Sequence, residues 1–247
     1  MADTSVGVIG AGVMGSGIAQ TLACAGIRTM CTDVDMAALE RGRQNVVSGR
    51  YGLERAVARG KQTRADADAA LGRLTFTPSL DEAVACDLVL ECVPERLDLK
   101  LQVFRDLDAR AAPATILASN TSGFPITALA AVTNRPDRVI GWHWASPPPI
   151  MRLAEIVAAP KTSEATIARV RDLASRCGKN PIVVNDTPTS WGFVANRVYF
   201  AMINEAKRVI DDGVATAEQV DQLMMDCFGW PTGPFTMVRG ATEGWTS

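Results

Sequence analysis

The chain contains one histidine, His143, set between Trp142 and Trp144, and a carboxylate, Glu155, follows it in the next apolar run. An imidazole held by a carboxylate at one ring nitrogen can take a proton through the other. That chemistry suits removal of a hydroxyl proton from an alcohol whose carbon loses a hydride. A lone histidine between two tryptophans also fits a packed core or surface position, and spacing alone leaves both readings open. With one histidine the chain cannot form a multi-histidine metal site, so no metal is expected.

A second set of residues points to a nucleotide. Gly10-Ala11-Gly12-Val13-Met14-Gly15 is a G-x-G-x-x-G run placed after an apolar strand candidate and before a helix candidate. Asp33, at the end of the next strand candidate, stands at the spacing of a dinucleotide fingerprint. Gly10 would allow the tight turn, Gly12 the close approach of a pyrophosphate, and Gly15 the packing of helix on strand. The helix N-terminus would stabilise the phosphate charge. An aspartate at 33 can accept from both ribose hydroxyls and repels a 2′-phosphate, which favours NAD over NADP. Gly10, Gly12, Val13, Met14, Gly15 and Asp33 are therefore the candidate cofactor contacts. A glycine-rich turn in an unrelated α/β fold and an FAD enzyme are the competing readings.

These residues need a frame. Up to Asp186 short apolar runs alternate with longer amphipathic segments. Strands are expected at 5–9, 28–33, 74–76, 87–91, 115–118, 138–142, 153–157 and 181–184. Helices are expected at 13–25, 35–59, 63–71, 79–85, 95–109 and 162–177. Such alternation implies a doubly wound, mostly parallel sheet with helices on both faces. For His143 and Glu155 to meet, the chain must reverse through Pro147-Pro148-Pro149. Beyond Asp186 the pattern is purely helical, over 193–214 and 217–228, followed by a Gly- and Pro-rich tail. The expected domains are 1–185, of Rossmann type, and 186–247, all-helical.

Composition narrows the function classes. Hydrophobic residues make up 47% of the 247 and charged residues 21%, enough apolar surface for a sizeable core. A net charge of −2 lacks the basic excess of a dedicated binder of nucleic acid or anionic membrane. The six cysteines show no C-x-x-C spacing and read as reduced thiols. The uncharged stretch from Thr4 to Ile27 lacks a preceding Lys or Arg and is broken by glycines, so it does not read as an export signal. The uncharged stretch 111–134 contains Pro113, Asn120, Gly123 and Pro125 and does not read as a membrane span. The expected location is the cytoplasm.

Six stretches in order resemble the L-3-hydroxyacyl-CoA dehydrogenase family, including its 3-hydroxybutyryl-CoA members. They are GAGVMGSGIAQ (10–20), ECVPERLDLK (91–100), ASNTSG (118–123), GWHWASPPPIMRLAEIV (141–157), DTPTSWGFVANR (186–197) and GWPTGPF (229–235). The resemblance implies an NAD enzyme with a Rossmann domain and a helical C-terminal domain. It implies His143 as the base and Glu155 as its partner. Ser122 matches the serine that hydrogen-bonds the reacting oxygen, and Asn196 the asparagine that helps hold the substrate carbonyl. Asn120 and Glu95 match residues near the nicotinamide, and Lys100 one on the nucleotide side. A homodimer through the helical domain is the family's usual assembly.

Three departures accompany the resemblance. Ser146 stands where the family has asparagine. Thr189-Ser190-Trp191 looks inserted between Pro188 and Gly192. Met237-Val238-Arg239-Gly240 does not follow the usual continuation, and the helical domain looks shortened. The leading reading is reversible NAD-dependent oxidation of an L-3-hydroxyacyl-CoA. The alternatives are a dehydrogenase of a non-CoA 3-hydroxy acid, which Ser146 and Trp191 motivate, and an NAD-binding protein without turnover.

Overall fold

The structure is a computed structural model that describes residues 4–243. The chain divides into two compact units, one ending at Phe193 and the other beginning at Val194.

The first unit holds eight strands: β1 (Ser5–Ile9), β2 (Arg28–Thr32), β3 (Leu74–Thr77), β4 (Leu88–Glu91), β5 (Ile116–Ser119), β6 (Val139–Trp144), β7 (Leu153–Ala158) and β8 (Asn180–Asn185). Its helices are α1 (Val13–Cys24), α2 (Met36–Ser48), α3 (Leu53–Ala58), α4 (Arg64–Arg73), α5 (Leu80–Val84), α6 (Leu97–Arg110), α7 (Ile126–Ala130) and α8 (Glu164–Arg176). One sheet results, in the order β3-β2-β1-β4-β5-β6-β7-β8. The six strands β1–β6 run parallel, which agrees with the expected doubly wound architecture. β7 turns back against β6, and β8 follows β7 in parallel.

The central strands are apolar on both faces, as a sheet covered on both sides requires. Every residue of β1, β4, β5 and β6 is buried. One core gathers Ile18 and Leu22 of α1, Trp142 and Trp144 of β6, and Val170 and Leu173 of α8. A second gathers Phe104 and Leu107 of α6, Ile126 and Leu129 of α7, and Phe193.

Two expectations are refined. The long helix over 35–59 breaks into α2 and α3. Gly49 caps the first in an extended conformation and Gly52 opens the second. A Cβ on Gly49 would lie 2.5 Å from the Asn45 carbonyl oxygen. Helical φ/ψ is also costly for glycine, so the Gly-Arg-Tyr-Gly run turns instead. The second refinement is α7, inside the stretch expected to hold only a strand. Its cap comes from far away in sequence. Asp186 accepts from the Ile126 N–H (3.1 Å), the Thr127 N–H (2.7 Å) and the Thr127 hydroxyl (2.5 Å).

The second unit contains α9 (Val194–Asp211), α10 (Ala217–Phe228) and α11 (Pro234–Glu243). Thr216 and Gln219 form a reciprocal capping box at the start of α10, and left-handed Gly229 ends it. α11 begins inside the Gly- and Pro-rich tail. Asp221 accepts from the Phe235 and Thr236 N–H groups at its start. No helix among the described residues is long and apolar enough to cross a membrane.

Asp186→Ala should lower the unfolding free energy by about 2 kcal/mol, because it leaves the first N–H groups of α7 without an acceptor. Urea denaturation of the two proteins measures this. An unchanged midpoint would show that solvent replaces the cap.

Candidate active site

The strand register brings the sequence-predicted residues of the first unit to one edge. Ile9, Glu91, Ser119 and Gly141 are neighbours across β1, β4, β5 and β6. These residues stand at or near the C-terminal ends of their strands. At about 4.8 Å per strand the row spans roughly 14 Å. The glycine turn rises from one end of the row and His143 lies two residues beyond the other. Ligands of open parallel sheets bind along this edge, where the order of strands switches direction.

At the glycine end, Gly10 adopts φ +106°, and a Cβ there would lie 2.8 Å from the Cys92 carbonyl oxygen. A Cβ on Gly15 would strike the Gly10 carbonyl oxygen. A Cβ on Gly12 would meet nothing within 4 Å. Gly10 and Gly15 are therefore demanded by the protein's own packing, whereas Gly12 keeps an open approach to the backbone. Gly12 caps α1 without any side-chain hydrogen bond, and Val13 is exposed. Asp33 is braced on the turn, accepting from the Ala11 N–H at 2.8 Å and the Asp35 N–H at 3.1 Å. An open helix N-terminus with a carboxylate at the end of β2 fits a dinucleotide with an unphosphorylated ribose.

At the other end His143 and Glu155 are direct partners in the antiparallel β6–β7 register. Their side chains project from the same face, and Nδ1 lies 2.7 Å from Glu155 Oε2. Both are buried, at 6% and 3% exposure. The Phe193 ring packs 6.0 Å from the imidazole. With Nδ1 committed to a carboxylate, Nε2 is the nitrogen left for proton exchange. The loop between the two strands contains Ser146 and a cis Ser146–Pro147 bond. Lys179 secures it, donating to the carbonyls of Pro148 (2.6 Å) and Met151 (2.7 Å) and lying over the Trp144 ring. Burial holds the Lys179 ammonium below its ordinary pKa.

Between the two ends lie the remaining candidates of the first unit. Asn120 accepts from the Trp144 N–H at 2.9 Å and so ties the end of β5 to β6. Ser122 follows in the loop after β5, its N–H donating to Glu95 Oε1 at 2.9 Å. Glu95 also accepts from the Thr121 hydroxyl at 2.6 Å. Lys100 is buried, and its ammonium lies 2.7 Å from Glu91 and 3.2 Å from Glu95. Burial pushes the Glu91 carboxyl up, opposed by the Lys100 ammonium and by hydrogen bonds from Lys100, Ser119 and Val93. The segment holding Trp191 also reaches this loop. The Gly192 N–H donates to the Gly123 carbonyl at 3.2 Å, and a Cβ on Gly123 would lie 2.7 Å from the Trp191 ring. Asn196 belongs to the helical unit, in the first turn of α9.

Glu91, Ser119, Thr121 and Lys179 were not singled out from the sequence. Glu91 and Ser119 end apolar strands, and a polar residue at such a terminus is the signal that marks them. Among the described residues no group of three His, Cys, Asp or Glu side chains could hold a metal ion.

Comparison with known proteins places the chain in a family. Residues 5–187 match the family model described as 3-hydroxyacyl-CoA dehydrogenase, NAD binding domain, and residues 192–245 match its C-terminal domain. A probable 3-hydroxybutyryl-CoA dehydrogenase of Bacillus subtilis is 43% identical, over 93% of this chain and 78% of the relative. The crystal structure of an (S)-3-hydroxybutyryl-CoA dehydrogenase from Ralstonia eutropha superposes with a TM-score of 0.90 at 40% identity, covering 96% of this chain and 81% of that one. A 5-formyl-3-hydroxy-2-methylpyridine 4-carboxylate 5-dehydrogenase of Mesorhizobium japonicum is 38% identical, over 93% of this chain and 71% of the relative. The nucleotide turn, the row of strand ends and these matches agree: the chain belongs to the 3-hydroxyacyl-CoA dehydrogenase family of NAD-dependent oxidoreductases.

Proposed function

We propose that His143 and Glu155 carry the 3-hydroxyacyl-CoA dehydrogenase reaction in this chain, the reversible oxidation of an L-3-hydroxyacyl-CoA to the 3-ketoacyl-CoA. The observation that carries the reading is the 2.7 Å contact between His143 Nδ1 and Glu155 at the edge that also bears the dinucleotide turn. NAD, when bound, supplies the acceptor for the hydride leaving the carbinol carbon. His143 takes the hydroxyl proton on Nε2, and the Glu155 carboxylate stabilises the imidazolium that results. In the reverse direction the same nitrogen returns the proton to the ketone oxygen.

The other residues divide between substrate and cofactor. Ser122 donates to the reacting oxygen and Asn196 holds the substrate carbonyl. Gly10, Gly12, Val13, Met14, Gly15 and Asp33 hold the cofactor's phosphates and ribose. Asn120 and Glu95 act on the nicotinamide side. Lys100 contributes there through Glu95, since its ammonium is directed into the protein.

A second reading changes the substrate to a 3-hydroxy acid without CoA. Its support is the Mesorhizobium relative, named for a pyridine carboxylate substrate, together with Trp191 beside the Ser122 loop. Comparing kcat/KM for acetoacetyl-CoA with that for free 3-hydroxy acids separates the two. A homodimer through the helical unit belongs to the leading reading. It is supported by exposed Val194, Val198 and Phe200 on α9 and exposed Leu223 and Phe228 on α10.

Three outcomes are expected. His143→Gln should lower kcat by about 10²- to 10⁴-fold, the usual contribution of a positioned base, while NADH affinity from fluorescence titration stays within about twofold. A parallel collapse of NADH binding would make His143 a structural residue. Asp33→Ala should weaken NAD binding and bring the NAD and NADP values of kcat/KM together; an unchanged ratio counts against a ribose contact. Sedimentation equilibrium should give twice the chain mass, and a monomer at all concentrations removes the dimer.

A further inference from the structure

Glu91 is fully buried at the end of β4 and touches no surface at which a substrate could lie. Its bonds nevertheless all run toward the edge that bears the site. Oε1 accepts from the Val93 N–H and from Lys100 Nζ, each at 2.7 Å. Oε2 accepts from the Ser119 hydroxyl at 2.6 Å.

Two arms leave this carboxylate and end on adjacent amides. Along the first, Ser119 Oγ accepts from the Thr121 N–H at 3.1 Å. Along the second, Lys100 Nζ lies 3.2 Å from Glu95 Oε2. Glu95 Oε1 then accepts from the Thr121 hydroxyl at 2.6 Å and the Ser122 N–H at 2.9 Å. The Thr121 oxygen in turn accepts from the N–H groups of Gly123 (3.3 Å) and Phe124 (3.0 Å). Four consecutive amides, 121 to 124, are thus bonded within one polar cluster that runs from buried Glu91 to Glu95 at the surface.

A buried ion pair is weak evidence for stability, because apolar side chains of similar volume commonly serve as well. What apolar side chains cannot do is fix the direction of backbone N–H groups. We propose that Glu91 is a positioning residue for the dehydrogenase reaction: through Ser119 on one side and Lys100 with Glu95 on the other, it sets the backbone of Ser122 and so aims the Ser122 hydroxyl at the reacting oxygen. The inference rests on the assignment of Ser122 above. A misplacement of about 1 Å at a reacting group costs up to 10²-fold in rate, so a remote bracket can control turnover.

The test is a kinetic cycle on the full chain, with Glu91→Gln, Ser122→Ala and the double variant, using acetoacetyl-CoA and NADH. Alone, Glu91→Gln should lower kcat about tenfold or more, with KM and the fluorescence-titrated NADH Kd within about twofold. In the Ser122→Ala background the same change should lower kcat by less than about twofold. Equal losses in both backgrounds would overturn the proposal, since a general structural defect does not depend on Ser122. A kcat unaffected by Glu91→Gln, or an NADH Kd that weakens with it, would overturn it as well. Should Glu91→Gln fail to fold, Ser119→Ala cuts one arm and enters the same cycle with the same criteria. Ser122→Ala at wild-type kcat would remove the Ser122 assignment itself, and that result is read without any change at Glu91.

Discussion

Everything at the site depends on a reversal of direction. Six strands run one way, as connections through helices impose. A seventh then returns antiparallel through a loop that Lys179 clamps. In the antiparallel pair so formed, residues directly opposite each other have Cβ atoms about 5 Å apart. His143 and Glu155 are such a pair. A slip of one residue would send the histidine to the opposite face of the sheet and break the contact. The register of β6 on β7 therefore decides whether the imidazole has a partner at all.

Trp142 and Trp144 hold that register. They sit on the face opposite His143, in the core with α1 and α8, at 0% and 1% exposure. Their indole N–H groups find no hydrogen-bond partner among the described residues. An orphaned donor of this kind costs about 1–3 kcal/mol. Burying a side chain of this size returns about 4–6 kcal/mol, from 150–250 Å² at 25 cal/mol per Å². Burial exceeds the loss in each case. A slipped register would place both rings on the face where His143 belongs, so two neutral residues do more to place the histidine than any bond the histidine makes.

Much of this was legible in the sequence because its signals are local. The glycine turn, the strand it follows and Asp33 lie within a short span, and the alternation of strands with helices predicts the sheet. Glu155 was legible because the chain reverses nearby through Pro147-Pro148-Pro149. The elements that escaped depend on partners distant in sequence. α7 is capped by Asp186, 60 residues from Ile126, and α11 by Asp221, 14 residues from Phe235. α7 has no side-chain cap of its own, and α11 offers only Pro234 at its first position. The break between α2 and α3 was written in Gly49 and Gly52, but the amphipathic pattern on both sides masks it.

The polar cluster beneath Ser122 escaped as a cluster for a different reason. Glu91, Lys100, Glu95, Ser119 and Thr121 come from β4, β5 and the segments that follow them, and no periodicity links those segments. For Glu91 and Ser119 the sequence offers only that polar residues terminate apolar strands; Glu95 and Lys100 are named through the family resemblance, but nothing there joins them to this cluster. Such residues are costly to bury unless each polar atom is matched, and here the matching determines the arrangement. Glu91 needs donors, and Ser119, Lys100 and the Val93 amide supply them. Lys100 needs further acceptors, which the Val93 carbonyl and Glu95 provide. Glu95, itself exposed, accepts in turn from the Ser122 amide. The chain of hydrogen bonds that starts at a fully buried carboxylate ends at the Ser122 amide in the loop after β5.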